Sequence, residues 1–346
     1  MSAPSERSKR RRSTGQQPIT LSDVAARAKV SEITVSRILR GVGPIADSTR
    51  ERVMEAVDAM GYVPNRVAGT LASSVSSLVG VIIPSLSNIV FPEVLQGINA
   101  GLEPSGYRPV VGITDYDATT EEKLVASLLA WKPAAMIIAG FDHTPMTRRR
   151  LQTSGIRIAE LMDIDATPID LAVGLSHRAA GYDTGRHLLR RGYRRFGYVG
   201  HDWSADRRAK LRYDGLRQAL CDAGHVFAGE AMTQGPSSTG AGRSMLDALL
   251  RSSPDVDVAV FSNDDMAVGG VFHCMTAGIT PKRDLGLFGF NGLDIGQALP
   301  LRLSTIRSNR FLIGRMAVEK MLQQSERPGT PEIIDTGYEI VEGETA

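Results

Sequence analysis

Four side chains near the N-terminus are of types that read nucleic-acid bases. They lie in the stretch SEITVSRILRG, at Glu32, Ile33, Ser36 and Arg37. Arg37 can make a bidentate contact to guanine, and Ser36 can bond a phosphate. Ile33 can pack on a thymine methyl group, and Glu32 can accept from a cytosine amino group or favour a helix N-terminus. Two further polar residues are of types that bind small polar molecules. Arg212, in RYDGL, is a fork-shaped cation suited to clamping a carboxylate or paired hydroxyls. Asn263, in SNDD, can donate to and accept from hydroxyl groups, while Asp264 beside it reads as a helix N-cap. Other chemistry is not encoded. There is no G-x-x-x-x-G-K-[ST], and Gly240-Ala241-Gly242 fails as a dinucleotide loop because Met245 stands where the last glycine should be. The six histidines (143, 177, 187, 201, 225 and 273) have no metal-ligand spacing and read as surface or satisfied core residues. No Ser-His-Asp combination shares a motif, so no nucleophile is assigned. Neither metal nor cofactor is expected.

The elements that must position these residues are of two kinds. Around the first set the apolar period is helical. Thr20 with Asp23 has the form of a capping box, and Leu21, Val24, Ala25 and Ala28 then share a face. Lys29 and Val30 make a turn, and Ser31 can cap a second helix from Glu32 to about Arg40. A third spans about Asp47 to Met60, stopped by Gly61. It is preceded by Ile45-Ala46, so Asp47 or Ser48 must supply any side-chain cap. Three short helices with a tight turn between the first two fit a helix-turn-helix, whose second helix enters the major groove, although periodicity alone does not separate this from a generic three-helix bundle. From residue 77 onward, apolar strands alternate with amphipathic helices. LVGVIIP, RPVVGIT, AAMIIAG, RFGYVGH, DVAVFSN and LGLFGF read as buried parallel strands. This is a βαβ pattern, in which ligands bind beyond the carboxyl ends of the strands.

Charge separates the two parts. The 346 residues carry a formal net charge of only +2. Residues 1–66 hold 12 Lys/Arg and 7 Asp/Glu, and the remainder holds 28 and 31. A basic head on a mildly acidic body confines any nucleic-acid contact to the head. Residues 1–17, with Arg7, Lys9, Arg10, Arg11 and Arg12, read as a disordered arm that adds non-specific affinity by counterion release. No apolar run is long enough for a transmembrane helix, and the N-terminus lacks the apolar stretch of a signal peptide, so no membrane association is expected. Two cysteines, Cys221 and Cys274, point to a reducing compartment and read as small apolar fillers. A disulfide between them is neither supported nor excluded.

The run ITLSDVAARAKVSEITVSRILRG, followed by STRERVMEAVDAMGYVPNRVAGTLASSVSSLVGVIIPSL, resembles the head of the lactose/galactose-repressor (LacI/GalR) family. FSNDDMAVGGV and LGLFGFNGLDIG are similar to motifs of that family's effector domain, so the resemblance covers about residues 18–340. IIPSLSNIVFPEVLQGI, AELMDID and GFNGLDIGQALPLRLSTI look most like the gluconate-operon repressors within it. The resemblance implies a small all-α helix-turn-helix head (18–63), a hinge (64–76), and an α/β periplasmic-binding-protein-like body (77–346). The body would have two doubly wound subdomains, about 77–175 plus 306–335 and 176–305 plus the C-terminus.

The implied DNA contacts are Thr20, Leu21, Ser31, Glu32, Ile33, Thr34, Ser36 and Arg37 in the head, and Asn65, Arg66, Ala68 and Leu71 in the hinge. There, a hinge helix that orders only on DNA would insert Leu71 at a minor-groove base step. Gly69 within it costs about 1 kcal/mol relative to Ala and favours the disordered state without DNA. The implied effector contacts are Ser85, Asn88, Phe91, Asp163 (or Glu160), Arg212, Asn263 and Asn291. Asn291, in GFNG, replaces the aspartate usual in sugar-responsive members. An aspartate would repel an anionic ligand at close range, so its replacement fits a sugar acid such as gluconate.

The function this implies is a cytoplasmic regulator, expected to be a repressor and not an enzyme. It would bind a palindromic operator in double-stranded DNA as a homodimer, since YEIVEGETA carries no heptad tail. A small sugar acid in the body would release it; a neutral sugar, a phosphorylated acid or a co-repressor are the alternatives. A sugar receptor without gene control would share the body but not the basic head.

Overall fold

The computed structural model describes residues 19–63, 76–204, 206–323 and 329–346. The basic arm and the hinge residues Asn65, Arg66, Ala68, Gly69 and Leu71 lie outside them. The chain divides into two compact units, residues 1–74 and 75–346.

The first unit holds α1 (Leu21–Ala28), α2 (Glu32–Leu39) and α3 (Asp47–Met60). Each start has a local cause. Thr20 caps α1 in a reciprocal capping box with Asp23, and the Ser31 side chain accepts from the Thr34 backbone at the start of α2. Helix α3 departs from the expected pattern: its N-cap is Ala46 and no side chain caps it, so neither Asp47 nor Ser48 substitutes. Lys29 adopts a left-handed conformation that makes the turn between α1 and α2. Val24, Ala25, Ala28, Val35, Ile38, Val53, Ala56 and Val57 close the core, and Arg52 Nε donates to the Ala28 carbonyl at 2.9 Å, tying α3 to the end of α1.

The second unit runs β1 (Leu78–Ile83), α4 (Val90–Leu102), β2 (Arg108–Ile113), α5 (Ala118–Ala130), β3 (Ala135–Ala139), α6 (Pro145–Thr153), β4 (Arg157–Leu161) and β5 (Leu171–Gly174). It continues through α7 (His177–Arg190), β6 (Phe196–Gly200), α8 (Arg207–Asp222), β7 (Gly229–Met232), α9 (Thr239–Ser252), β8 (Val258–Phe261), α10 (Asp264–Ala277) and β9 (Gly286–Phe288). After α11 (Asp294–Gln297) come β10 (Thr305–Ser308), α12 (Arg310–Gln323), β11 (Glu332–Asp335) and β12 (Tyr338–Val341).

Two parallel sheets result, with strand orders β11-β5-β4-β3-β1-β2 and β7-β6-β8-β9. The six expected strands are present; β4, β5 and β7 carry weaker patterns and add to them. Residues 305–308, expected partly with the first sheet, instead pair antiparallel with β12, and the return to the first sheet is made by α12 and β11. In both sheets the first strand in sequence sits between its successors, so the chain leaves it in opposite directions. The carboxyl ends flanking such a switch point leave a crevice.

Close helix contacts fix the walls of that crevice. Gly181 on α7 packs against α8 so tightly that a Cβ there would overlap the Arg212 carbonyl, and a Cβ at Gly215 would overlap the Arg178 carbonyl. Two glycines thus bring α7 and α8 together backbone to backbone. Cys221 and Cys274 are both free; Cys274 is buried as expected, but Cys221 is exposed near the end of α8 and fills nothing.

Candidate functional site

A cavity of about 340 Å³ opens in the body where strand ends converge. Asn88, Val90 and Phe91 reach it from the segment after β1, Asp115 and Tyr116 from β2, and Met162 from β4. His177 follows β5; His201, Asp202, Asp206, Arg208 and Arg212 follow β6; Gln234 to Ser237 follow β7; Asn263 follows β8, and Asn291 follows β9. Every sequence-expected effector residue except Ser85 and Asp163 lines it. Asp115, Tyr116, Met162 and Asn291 have positive φ, four of the seven such non-glycine residues among those described. Backbone strain of this kind, about 1–3 kcal/mol each, concentrates where a chain is shaped for a ligand.

The polar groups are held in fixed roles. Arg212 Nη2 donates to the Ser262 carbonyl at 2.8 Å, and Nη1 faces His177 Nδ1 at 3.1 Å. Its guanidinium lies 4.2 Å over the Phe290 ring, a cation–π arrangement. Burial, reinforced by the charges of Arg212 and Arg208, pushes the His177 imidazole well below its ordinary range. It is therefore neutral near pH 7: Nδ1 accepts from Arg212 and Nε2–H donates to the Met162 carbonyl at 2.8 Å. For Asp206, burial raises the carboxyl, but the hydrogen bond with His201 and the nearby Arg208 and Arg212 charges outweigh it and hold it well below the usual range. Asp206 Oδ1 caps α8 through the Ala209 N–H at 3.1 Å, and Oδ2 lies 3.3 Å from His201 Nε2. Asn263 caps α10, accepting from the Met266 N–H at 3.1 Å, which leaves its amide donors for a ligand. Asn88 donates to the Tyr116 hydroxyl at 2.9 Å.

Three assignments change. Ser85 does not line the cavity; its Oγ accepts from the Ser87 and Asn88 N–H groups and shapes the loop that presents Asn88. Asp163 lies outside the main cavity too. It is buried in an adjoining chamber of about 80 Å³, where Arg207 Nη1 donates to it at 2.6 Å. Its alternative, Glu160, is fully buried beneath His143 and the Ile169 backbone, because its strand position points into the fold. Asp264, read as an N-cap, is not the cap: Asn263 is. Asp264 is buried, accepts from Thr305 Oγ1 and the Leu293 N–H, and its carboxyl is pushed up to about 6 by that burial.

Sequence reasoning missed Tyr116, Arg208 and Gln234, and it set His177 and His201 aside with the other histidines. The available signal was position: both histidines come within three residues of a strand end, in GLSH and YVGH.

In the head, Ile33 is 72% exposed at the first turn of α2, an unusual place for an isoleucine without a partner. Glu32 and Arg37 are also exposed, and Ser36 is half-buried. Thr20 and Ser31 are occupied as caps, with the Ser31 hydroxyl 2.9 Å from Thr34 Oγ1, so their first role is to build α1 and α2. Leu21 and Thr34 are half-buried at the same helix starts.

A helix-turn-helix unit, followed by a two-sheet body with a polar cleft at the strand ends, defines a class: DNA-binding regulators that carry a small-molecule receptor. Comparison with known proteins agrees. Residues 20–65 match the model of bacterial regulatory proteins of the lacI family, and residues 76–337 that of periplasmic binding proteins and sugar binding domain of LacI family. The chain belongs to the LacI family of transcriptional regulators, and is not an enzyme. It is 38% identical to the HTH-type transcriptional regulator GntR of Pseudomonas aeruginosa, over 97% of this chain and 98% of that protein. It is 33% identical to the regulator of the same name from Escherichia coli, over 93% and 97%. A LacI-family transcriptional regulator from Silicibacter pomeroyi, solved by crystallography, superposes with a TM-score of 0.90 at 43% identity, covering 95% of this chain and 99% of that one.

Proposed function

We propose that this regulator is a cytoplasmic repressor of sugar-acid catabolism genes. It binds a palindromic operator as a homodimer and is released when a gluconate-type acid enters the cleft. The observation that carries this reading is the pair of guanidinium groups, Arg208 and Arg212, set among the side-chain amides of Asn88, Asn263 and Asn291. Exposed Ile33 and Arg37 on α2 support the base-reading role. Asn65, Arg66, Ala68 and Leu71 fill the hinge role by resemblance. The similarity to regulators named GntR supports the choice of ligand class.

The cleft is a workable switch because its walls come from both sheets. A ligand that touches Asn88 and Tyr116 on one side and Arg208 and Asn263 on the other has different affinity for open and closed arrangements. That difference is the whole of the energy available to shift DNA affinity. The test is fluorescence anisotropy of the full chain on DNA from its own promoter region, at fixed salt, because phosphate contacts alone change affinity by orders of magnitude. Selective binding that gluconate or ketogluconate releases and glucose does not is the expected result. Release by glucose alone refutes the acid reading, and absence of sequence-selective binding refutes the operator reading.

A further inference from the structure

Two guanidinium groups border the cavity, and they are not equivalent. Arg212 is held by the protein through both terminal nitrogens, and only its Nε is buried without a partner. Its terminal nitrogens bond Ser262 and His177, and its plane is fixed on Phe290. Arg208 makes no hydrogen bond among the described residues. Its closest acidic neighbour is Asp206, with Nε 3.9 Å from Oδ1, too far for a hydrogen bond. Asp206 is held in place by the cap of α8 through one oxygen and by His201 through the other. The Arg208 side chain is only 16% exposed, its Nη1 is buried without a partner, and its guanidinium lies over the Phe91 ring, 5.5 Å from the centroid. A cation so far withdrawn from water, with its donors unmet, is incomplete.

We propose that Arg208, rather than Arg212, receives the carboxylate of the effector, and that the effector is therefore an unphosphorylated polyol monocarboxylate. The assignment rests on the reading of the cleft as a sugar-acid site and deepens it. A carboxylate supplies the planar, two-oxygen acceptor that the guanidinium fork lacks. Arg208 lies on α8 and Phe91 on α4, so an acid held there joins the two walls of the cleft. The polyol chain then runs toward Asn263, Asn88 and the Tyr116 hydroxyl. A terminal phosphate would meet acidic groups around this site. The cavity rim carries Asp115 and Asp202. The adjoining chamber carries Asp117 and Asp142, and its Arg207 is committed to Asp163.

Isothermal titration of the full-length protein tests this with D-gluconate, D-glucitol (the same carbon chain without the acid) and 6-phosphogluconate. For the wild type, gluconate binds more tightly than either of the others. Arg208→Gln lowers gluconate affinity by roughly 30-fold and leaves the weak glucitol affinity unchanged, the loss expected for one charge-assisted pair. Arg208→Lys, which keeps the charge without the fork, falls between, and it decides the matter should the glutamine variant lose its circular-dichroism spectrum. Gluconate affinity within about threefold of wild type in both folded variants overturns the Arg208 assignment and leaves the sugar-acid reading standing. Equal losses for gluconate and glucitol reduce Arg208 to a structural residue and overturn it too. A wild type that favours glucitol over gluconate overturns the sugar-acid reading and this assignment together. Tighter binding of 6-phosphogluconate overturns the unphosphorylated class alone.

Discussion

Placing the same substitution at two glycines should give opposite results. At Gly181 an added methyl overlaps the Arg212 carbonyl, which is backbone and cannot swing aside. The helix pair α7 and α8 must separate or slide. Overpacking of this kind costs about 1–3 kcal/mol, and the better helix propensity of alanine returns at most about 1 kcal/mol. The net expectation for Gly181→Ala is a loss of about 1–2 kcal/mol. At Gly240, near the start of α9, nothing lies within 4 Å of the added Cβ and φ is ordinary. Only the propensity and unfolded-chain terms remain, so Gly240→Ala gains about 0.5 kcal/mol. Thermal and urea denaturation of the two variants beside wild type measures both. Because Gly181 contacts the very residue whose side chain borders the cleft, Gly181→Ala also weakens effector binding, whereas Gly240→Ala does not. Equal shifts of the same sign, or a stabilised Gly181→Ala with unchanged ligand affinity, would show that the crossing is looser than its geometry and that it does not position Arg212.

Three further outcomes follow from particular contacts. Removing Arg207 leaves buried Asp163 without its partner, so Arg207→Gln should destabilise the body by about 2 kcal/mol, and Asp163→Asn added to it should recover most of the loss in a double-mutant cycle. His143 is buried between Glu121 and Glu160; burial lowers its pKa, but those two carboxylates outweigh it and raise it to about 9. A raised histidine pKa stabilises most below about pH 6.5 and loses that stabilisation as pH climbs toward 9, so ring NMR signals should titrate near 9 and the His143-dependent stability should fall across that window. His177 has the opposite sign. Its depressed pKa means stability is lost below about pH 6.5, and its ring should stay neutral at pH 6. In the head, Ile33→Ala should leave the melting temperature nearly unchanged, since the side chain is exposed, yet cost about 1–3 kcal/mol of discrimination between operator and mismatched DNA, read by anisotropy at fixed salt.

The head was legible because its signals are local. A capping threonine, a capping serine and apolar residues at helical spacing need only a few neighbours to act, and α1, α2 and α3 begin within a residue of where those signals fall. The exception is Ala46, where no side chain caps the helix and packing of Val53, Ala56 and Val57 must hold it instead. The strands of the body were legible where they are buried on both faces and read as unbroken apolar runs, as in LVGVIIP. They were hidden where a charged residue interrupts the run, as Glu160 does in β4 and Glu230 in β7.

The sequence by itself determined the two-part organisation, the helix-turn-helix, the alternation of strand and helix, and five of the cleft residues: Asn88, Phe91, Arg212, Asn263 and Asn291. The organisation and its elements follow from local pattern, and the cleft residues from the resemblance to the LacI/GalR family. Only the tertiary structure decided which charges are paired. Arg207 and Arg208 are neighbours in the chain with the same chemistry, yet one is neutralised by Asp163, some forty residues away, and the other borders the cavity with its Nη1 buried and unpartnered. Glu160 and Asp163 likewise differ by three positions and by the partners that the fold brings to them. Pairing and burial depend on what lies across the cleft, and residues so distant in sequence meet only when both sheets and their crossing helices are in place.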